Sequence, residues 1–128
     1  MRLLLDTHLL LLASAERTAI EQKAAELLEA PANELLYSAA SLWEVAIKFG
    51  RGRPDFIVDP DLLRRGLARA GYTELFITSE QAMYVCRLPP IHKDPFDRLL
   101  VAQATIENIT LLTSDVLLAT YPGPVCRV

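Results

Sequence analysis

Residues 94–115 read DPFDRLLVAQATIENITLLTSD, and this stretch contains a complete helix followed by a strand. Asp94 is placed to cap a helix with Pro95 at its first position, and an apolar helical pattern continues to Glu107. An apolar strand is predicted at 109–113, directly before Ser114 and Asp115. A capped helix that leads straight into an apolar strand is typical of an α/β protein.

The rest of the chain alternates in the same way. Further strands are predicted at 2–6, 34–38, 73–78 and, as a short edge strand, 125–128. Further helices are predicted at 9–13, 19–28, 41–49, 59–71 and 79–87, with a helical turn at 116–119. Strands and helices that alternate at this spacing predict right-handed crossovers and a parallel sheet. We therefore expect one domain over residues 1–128, a three-layer α/β/α sandwich around a central, mainly parallel sheet.

The composition is that of a folded protein without a membrane span. The chain has 128 residues, of which 52% are hydrophobic and 23% charged, and this balance excludes disorder. Arg2 and the leucines after it imitate a signal peptide, but Asp6 and His8 interrupt the apolar region that such a peptide needs. No apolar run approaches the ~18 residues of a membrane span. Cys86 and Cys126 lack zinc-site spacing and are interpreted as buried free thiols of a cytoplasmic protein.

Four acids stand where an apolar strand gives way to a helix, or in the first turn of a helix. They are Asp6, Glu44, Asp97 and Asp115. The carboxyl ends of parallel strands share one edge of the sheet, where ligands bind, so acids far apart in sequence would meet there. Clustered carboxylates repel one another unless a positive charge lies among them, and a hard divalent cation usually supplies it. The pattern is typical of a metal-dependent site that cleaves phosphodiesters.

Each acid also has a structural interpretation. Asp6 and Asp115 could cap the turns that follow them, and Asp97 lies in a first turn, which favours negative charge. Residues 41–44 fit a capping box with Ser41 as the cap, and Glu44 could also pair with Lys48 one turn later. Asp97 nevertheless shares a helix face with the apolar residues at 100, 101 and 104, the side expected to pack on the sheet. A solvated capping acid would more often face outward.

Four segments together resemble a PIN-domain ribonuclease, of the type of the VapC-like toxins of type II toxin–antitoxin modules. These segments are LLDTH at 4–8, SAASLWEVAIK at 38–48, HKDPFDRLLVAQA at 92–104 and LTSD at 112–115. The resemblance covers essentially the whole chain, and the third segment is its most specific part. It implies an endoribonuclease dependent on Mg²⁺ or Mn²⁺ that cuts a translation-related RNA, forms a homodimer and is neutralised by a cognate antitoxin. The acidic positions of the family fall on Asp6, Glu44, Asp97 and Asp115, so all four are expected to be catalytic and to bind metal.

Roles can be assigned within this set. Asp6 and Asp97 are predicted to bind the metal directly, because Mg²⁺ prefers hard oxygen ligands and keeps several waters. Glu44 is expected to bind through water or to orient the attacking water, and Asp115 to complete the site. Thr7 and Ser114 are candidates for orienting the carboxylates, with ordinary helix capping as the alternative.

The substrate surface is less clearly marked, because the net charge is −3. Basic residues concentrate in one stretch, and with Arg98 beside Asp97 they are predicted to contact the RNA backbone. The residues assigned to RNA binding are Lys48, Arg51, Arg53, Arg64, Arg65 and Arg98. The alternative is a solvated helix face in which nearby aspartates pair with these bases. His92 is interpreted as a local hydrogen-bonding residue of its loop, and Trp43 as part of the core or of a dimer interface.

Two other functions remain as alternatives. A phosphotransfer domain with Asp6 as nucleophile would need a second acid beside it or a lysine at a strand end, but Thr7 and His8 follow Asp6. A non-catalytic PIN-like interaction module would not need all four acids.

Overall fold

The computed structural model describes residues 1–15 and 20–128 and contains a five-stranded parallel sheet. The strands are β1 (Arg2–Leu5), β2 (Glu34–Ser38), β3 (Thr73–Leu75), β4 (Thr110–Thr113) and β5 (Val125–Arg127). Their order across the sheet is β3-β2-β1-β4-β5, and every neighbouring pair is parallel. The predicted parallel α/β fold is confirmed, with β5 at the predicted edge.

Six α-helices connect these strands in the described part of the chain. They are α1 (Thr7–Ala15), α2 (Gln22–Glu29), α3 (Ala39–Gly50), α4 (Pro60–Arg69), α5 (Ser79–Tyr84) and α6 (Pro95–Glu107). Short 3₁₀ helices follow at Val85–Arg87 and Leu118–Thr120. The first residue of the helix predicted at 19–28 lies outside the described residues. No helix among the described residues is long and apolar enough to cross a membrane.

Both faces of the sheet are covered by helices, and β1 is the central strand of the five. Leu3 and Leu5 belong to one buried cluster and Leu4 to another, since alternate strand residues point to opposite faces. Helices α1, α2 and α4 contribute residues to the first cluster, and α6 contributes to the second. Each of these leucines is fully buried, which stabilises the fold by about 1.5–3 kcal/mol per side chain. The central position of β1 also fixes Asp6, the next residue, at the middle of the sheet edge.

Three predicted element boundaries were wrong, and a side-chain hydrogen bond at each boundary explains the difference. Helix α3 begins before Ser41, because Ser38 is the cap and its Oγ accepts a hydrogen bond from the Ala40 N–H at 3.0 Å. The strand predicted at 73–78 stops at Leu75, and Thr78 instead forms a capping box with Gln81 at the start of α5. The helix predicted at 9–13 is longer, because Asp6 caps it and it begins at Thr7.

Three side chains lie in surroundings other than those expected. Cys86 and Cys126 are free thiols as predicted, but Cys86 is exposed and Cys126 is only partly buried. Trp43 is 58% exposed, so it is not a core residue, and its ring makes an edge contact with Phe96 at 5.0 Å between centroids.

Candidate active site

One cavity of about 360 Å³ at the carboxyl edge of the sheet is lined by all four acids. Asp6 follows β1 and Asp115 follows β4, while Glu44 is on α3 after β2 and Asp97 is in the first turn of α6. The remaining lining residues are Thr7, His8, Leu11, Lys48 and Ser114. Because β2, β1 and β4 are neighbours in the sheet, the chain brings together residues that are far apart in sequence.

Asp6 is 3% exposed and holds two hydrogen bonds. Its Oδ1 accepts from the Leu9 N–H at 2.8 Å, so it caps α1, and its Oδ2 accepts from the Thr113 hydroxyl at 2.5 Å. Burial raises the pKa of Asp6, and the bonds from Thr113 and Leu9 oppose that rise. Asp6 therefore caps α1, as its structural interpretation predicted, and also lines the acidic cavity.

Asp97 is the acid whose charge is most costly. Asp94 is the cap of α6 and accepts from the Phe96 and Asp97 N–H groups at 2.8 and 3.3 Å, so Asp97 has no capping role. Burial raises the pKa of Asp97 to about 7, and repulsion from Asp94, Asp6 and then Glu44 adds to the rise, whereas His92 opposes it. A carboxyl group that ionises near neutral pH is a mark of a crowded acidic site.

Glu44 carries an oxygen without a partner. Its Oε2 accepts from Lys48 Nζ at 2.9 Å, which realises the predicted pairing one turn apart. Its Oε1 is buried and has no hydrogen-bond partner among the described residues. The predicted capping box is wrong, since Ser41 lies inside α3 and its hydroxyl shares a 2.8 Å hydrogen bond with Thr7. A buried carboxylate oxygen without a partner is expensive, and a cation in the cavity would satisfy it.

Asp115 is the least buried of the four acids, with 40% of its side chain exposed, and it accepts several hydrogen bonds. Its Oδ1 accepts from the Leu117 and Leu118 N–H groups at 2.8 and 3.1 Å. The backbone bond from Leu118 is the main reason why the pKa of Asp115 lies below its usual range, and the contact with His92 adds to the effect. Asp115 therefore remains charged where Asp97 is partly neutral.

Two residues of the site were not assigned from the sequence. His92 Nε2 lies 3.2 Å from Asp115 Oδ2 and 3.5 Å from Asp97 Oδ2. Thr113 bonds Asp6 and also accepts from the Asp115 N–H at 3.0 Å. The signal for Thr113 in the sequence was a threonine at the end of an interior strand. The residues predicted to orient the carboxylates were instead Thr7, which bonds Ser41, and Ser114, which lines the cavity.

The predicted RNA-binding residues separate into three environments. Lys48, Arg51 and Arg53 line a second cavity of about 250 Å³ with Asp55 and Phe56, and Lys48 also lines the acidic cavity. Another cavity includes Arg64, paired with Glu74 at 3.2 Å, and Arg65, paired with Asp61 at 2.8 Å.

Arg98 points into the protein. Its guanidinium donates to the carbonyls of Pro89 and Val85 at 2.9 and 3.0 Å and to the Tyr121 hydroxyl at 3.0 Å. These bonds hold the loop before α6, and they do not support the RNA contact predicted for Arg98.

The donor set fits a hard divalent cation. Ligand atoms of His92, Asp97 and Asp115 lie within 4.8 Å of one another, and Glu44, whose Oε1 has no partner among the described residues, lines the same cavity as the two acids. Carboxylate oxygens are the donors that Mg²⁺ prefers, and they suit Mn²⁺ as well.

A five-stranded parallel sheet between helices, with acids at its carboxyl edge, is the architecture of a PIN-like α/β protein. The chain belongs to the PIN domain family, whose family model matches residues 3–123. A comparison with curated proteins found no significant match.

Several solved structures share the fold at low sequence identity. A chain of VapBC2 from Rickettsia felis, bound to a DNA fragment from their promoter, is 18% identical with a TM-score of 0.73, and the match covers 99% of this chain and 98% of that one. A toxin–antitoxin complex from Klebsiella pneumoniae gives 18% identity and a TM-score of 0.62, covering 96% and 94%. VapBC-1 from nontypeable Haemophilus influenzae is 19% identical with a TM-score of 0.58, and the match covers 91% of this chain and 88% of that one.

Proposed function

We propose that this chain is a Mg²⁺- or Mn²⁺-dependent endoribonuclease that acts as the toxin of a type II toxin–antitoxin module in the cytoplasm. The observation that carries the proposal is the single cavity that holds all four acids, with a buried carboxylate oxygen of Glu44 left without a partner. Membership in the PIN domain family supports nuclease activity. The substrate class is RNA, and a translation-related RNA is the proposed target.

In this proposal Asp6, Asp97 and Asp115 hold the cation. Glu44 offers Oε1 to the cation or to the attacking water, while Lys48 keeps its other oxygen in place. A divalent cation, when bound, makes a water easier to deprotonate and stabilises negative charge on a phosphate. The protein orients Asp6 through two hydrogen bonds and Asp115 through three, so both carboxylates are fixed before substrate arrives.

The proposed activity is tested by cleavage of a labelled RNA in Mg²⁺, in Mn²⁺ and in EDTA. Cleavage is expected with either ion and not in EDTA, and Asp6→Asn should abolish it because the amide keeps the shape of the side chain but loses the charge. Glu29→Gln is the matched control, since Glu29 is an exposed carboxylate at the end of α2. Undiminished cleavage in EDTA would refute the metal mechanism, and calorimetry showing no Mn²⁺ binding would instead favour a non-catalytic module.

The second cavity is the proposed path of the RNA backbone away from the acids. Lys48 lines both cavities, so a strand with one phosphate at the acidic site has Arg51 and Arg53 within the adjoining wall. The ring of Phe56, 5.8 Å from Lys48 Nζ, gives that cavity an apolar surface against which a base can pack. Of the residues predicted to bind RNA, the proposed path therefore uses Lys48, Arg51 and Arg53, which lie on one side of the acidic site.

A pair of double variants distinguishes this path from the rest of the basic stretch. Replacing Arg51 and Arg53 with Gln should weaken RNA binding and reduce the slope of log affinity against log salt by about 0.7 per lost phosphate contact. The same change at Arg64 and Arg65 is the control, because both line a separate cavity and have closer ion pairs, at 3.2 and 2.8 Å, than the 3.6 Å pair of Arg53 with Asp55. Equal losses in the two double variants would contradict the path.

Two partners are proposed in addition to RNA. Structures with this fold are described as VapBC assemblies or as a toxin–antitoxin complex, which supports a cognate antitoxin. Exposed apolar side chains, among them Trp43, Phe49 and Phe76, support association with a second copy. Expression of this chain should arrest growth, and co-expression of a small protein from the adjoining gene should relieve the arrest. Light scattering measures the oligomeric state, and a monomer at all concentrations would contradict the homodimer.

A further inference from the structure

His92 links two carboxylates of the site through a single ring nitrogen. Its Nε2 is 3.2 Å from Asp115 Oδ2 and 3.5 Å from Asp97 Oδ2, and only 17% of its side chain is exposed. The two aspartates come from the ends of different elements and carry charge of one sign. Without a hydrogen-bond donor or a cation between them they would repel one another across the cleft.

The other ring nitrogen fixes which tautomer is present. Nδ1 lies 3.1 Å from the backbone nitrogen of Asp94, and a backbone N–H can only donate. Nδ1 must therefore present its lone pair, and in the neutral ring the hydrogen is on Nε2. That single N–H is directed at Asp115, with Asp97 beside it. The hydrogen bond from Asp94 to Nδ1 thus keeps the hydrogen on Nε2, where it can be donated to the acids.

The loop that carries His92 is held from three directions. The His92 N–H donates to the Tyr121 hydroxyl at 2.8 Å, and Arg98 donates to the same hydroxyl at 3.0 Å. Arg98 also bonds the carbonyls of Pro89 and Val85. A lone loop histidine is usually free to choose its rotamer, but here the backbone on either side of the ring is fixed. Arg98 points inward because its guanidinium makes these bonds to the loop and to Tyr121.

We propose that His92 is a positioning residue, which sets the separation and orientation of Asp97 and Asp115 by donating from Nε2 between them. The inference rests on the proposed function, because it concerns the same acidic site. It assigns to His92 no contact with substrate and no proton transfer. Its consequence is that cation affinity depends on the donor of His92 as well as on the acids themselves.

Three substitutions separate the donor from the loop bond. His92→Ala removes both, and cation affinity is expected to fall by about 10-fold, as when a residue that orients metal ligands is lost. His92→Asn keeps an acceptor where Nδ1 was but cannot reach the carboxylates. His92→Gln places an amide N–H near the position of Nε2. We expect Mn²⁺ affinity, measured by calorimetry, to be restored largely by His92→Gln and not by His92→Asn.

The tautomer gives a second readout that needs no cation. The sequence has two histidines, so the ¹⁵N–¹H spectrum of His92→Gln identifies the ring signals of His92 by difference. We expect a protonated Nε2 and an unprotonated Nδ1 in the cation-free protein at neutral pH. A proton on Nδ1 would overturn the proposal, and so would wild-type Mn²⁺ affinity in His92→Ala or full restoration by His92→Asn.

Failure of this inference is distinguishable from failure of the proposed function. If the wild type binds Mn²⁺ with the expected dependence on His92 but cleaves no RNA, the nuclease proposal fails and the positioning role stands. If cleavage needs the cation and His92→Ala binds Mn²⁺ as tightly as the wild type, the positioning role fails alone. If the wild type binds no Mn²⁺, both fail.

Discussion

Asp97→Asn should raise the melting temperature of the cation-free protein, because it removes the charge that the fold accommodates least well. The pKa of Asp97 is about 7, against an ordinary value of 3.8 for an aspartate. A difference of about 3 units corresponds to about 4 kcal/mol, at 1.36 kcal/mol per unit. Since 18% of the side chain is exposed, solvent screening reduces this figure, and we expect about 2 kcal/mol. For a chain of this size that is a rise of about 8 °C, at about 4 °C per kcal/mol.

The pH dependence of this difference has a definite sign. Between the unfolded pKa of 3.8 and the folded value of about 7, the folded protein binds more protons at Asp97 than the unfolded chain does. The stability that a protonated Asp97 contributes is therefore present below the unfolded pKa and is lost as the pH rises through the folded pKa. The variant should match the wild type near pH 4 and exceed it by the full amount near pH 8.

Thermal unfolding in EDTA at several pH values measures this, and the same series with Mn²⁺ completes the test. A cation at 100 times its dissociation constant stabilises the wild type by about 2.7 kcal/mol, which should close the gap, whereas Asp97→Asn should gain little. Glu29→Gln is the control, and an exposed change of this kind should stay within about 0.5 kcal/mol. If Asp97→Asn and the wild type melt together in EDTA near pH 8, the charge of Asp97 is not costly, and neither its burial nor its repulsion by the other acids destabilises the fold.

Three further substitutions test how the site is supported, each by urea unfolding. Thr113→Val removes the hydroxyl that bonds Asp6, and it should cost about 1–3 kcal/mol, more near pH 8 than near pH 5, and weaken Mn²⁺ binding; unchanged stability would mean that the bond is not formed. Ser38→Ala removes the cap of α3 and the hydrogen bond that the buried Ser38 hydroxyl donates to Gln103 Oε1, so it should cost about 1–3 kcal/mol, and unchanged stability would show that neither bond contributes. Gly123→Ala should cost about 1–3 kcal/mol, because φ is +121° and the new Cβ would lie 3.2 Å from the Thr105 hydroxyl; a neutral effect would show that this turn relaxes.

Much of the site could be predicted because its main groups follow local signals. Asp6 comes directly after a run of leucines, and Asp115 follows an apolar strand in the same way. The end of a strand can be predicted from the sequence, and in a parallel sheet the residues that follow the strands lie at the same edge. Asp97 was marked by its helix face, since its neighbours at 100, 101 and 104 are buried. For these acids, local pattern and a single topological rule were sufficient to predict that they meet.

What the sequence determined by itself is the order of strands and helices, the parallel sheet and the placement of four acids at its carboxyl edge. These depend on periodicity and on capping residues, which act within a few positions of the chain. The tertiary structure alone decided which hydroxyl holds Asp6, since Thr113 is 107 positions away. It also decided that Arg98 turns inward and that His92 lies between two aspartates. Such contacts depend on how separate elements pack, and a hydrogen bond needs its atoms placed to within a few tenths of an ångström, which no local pattern specifies.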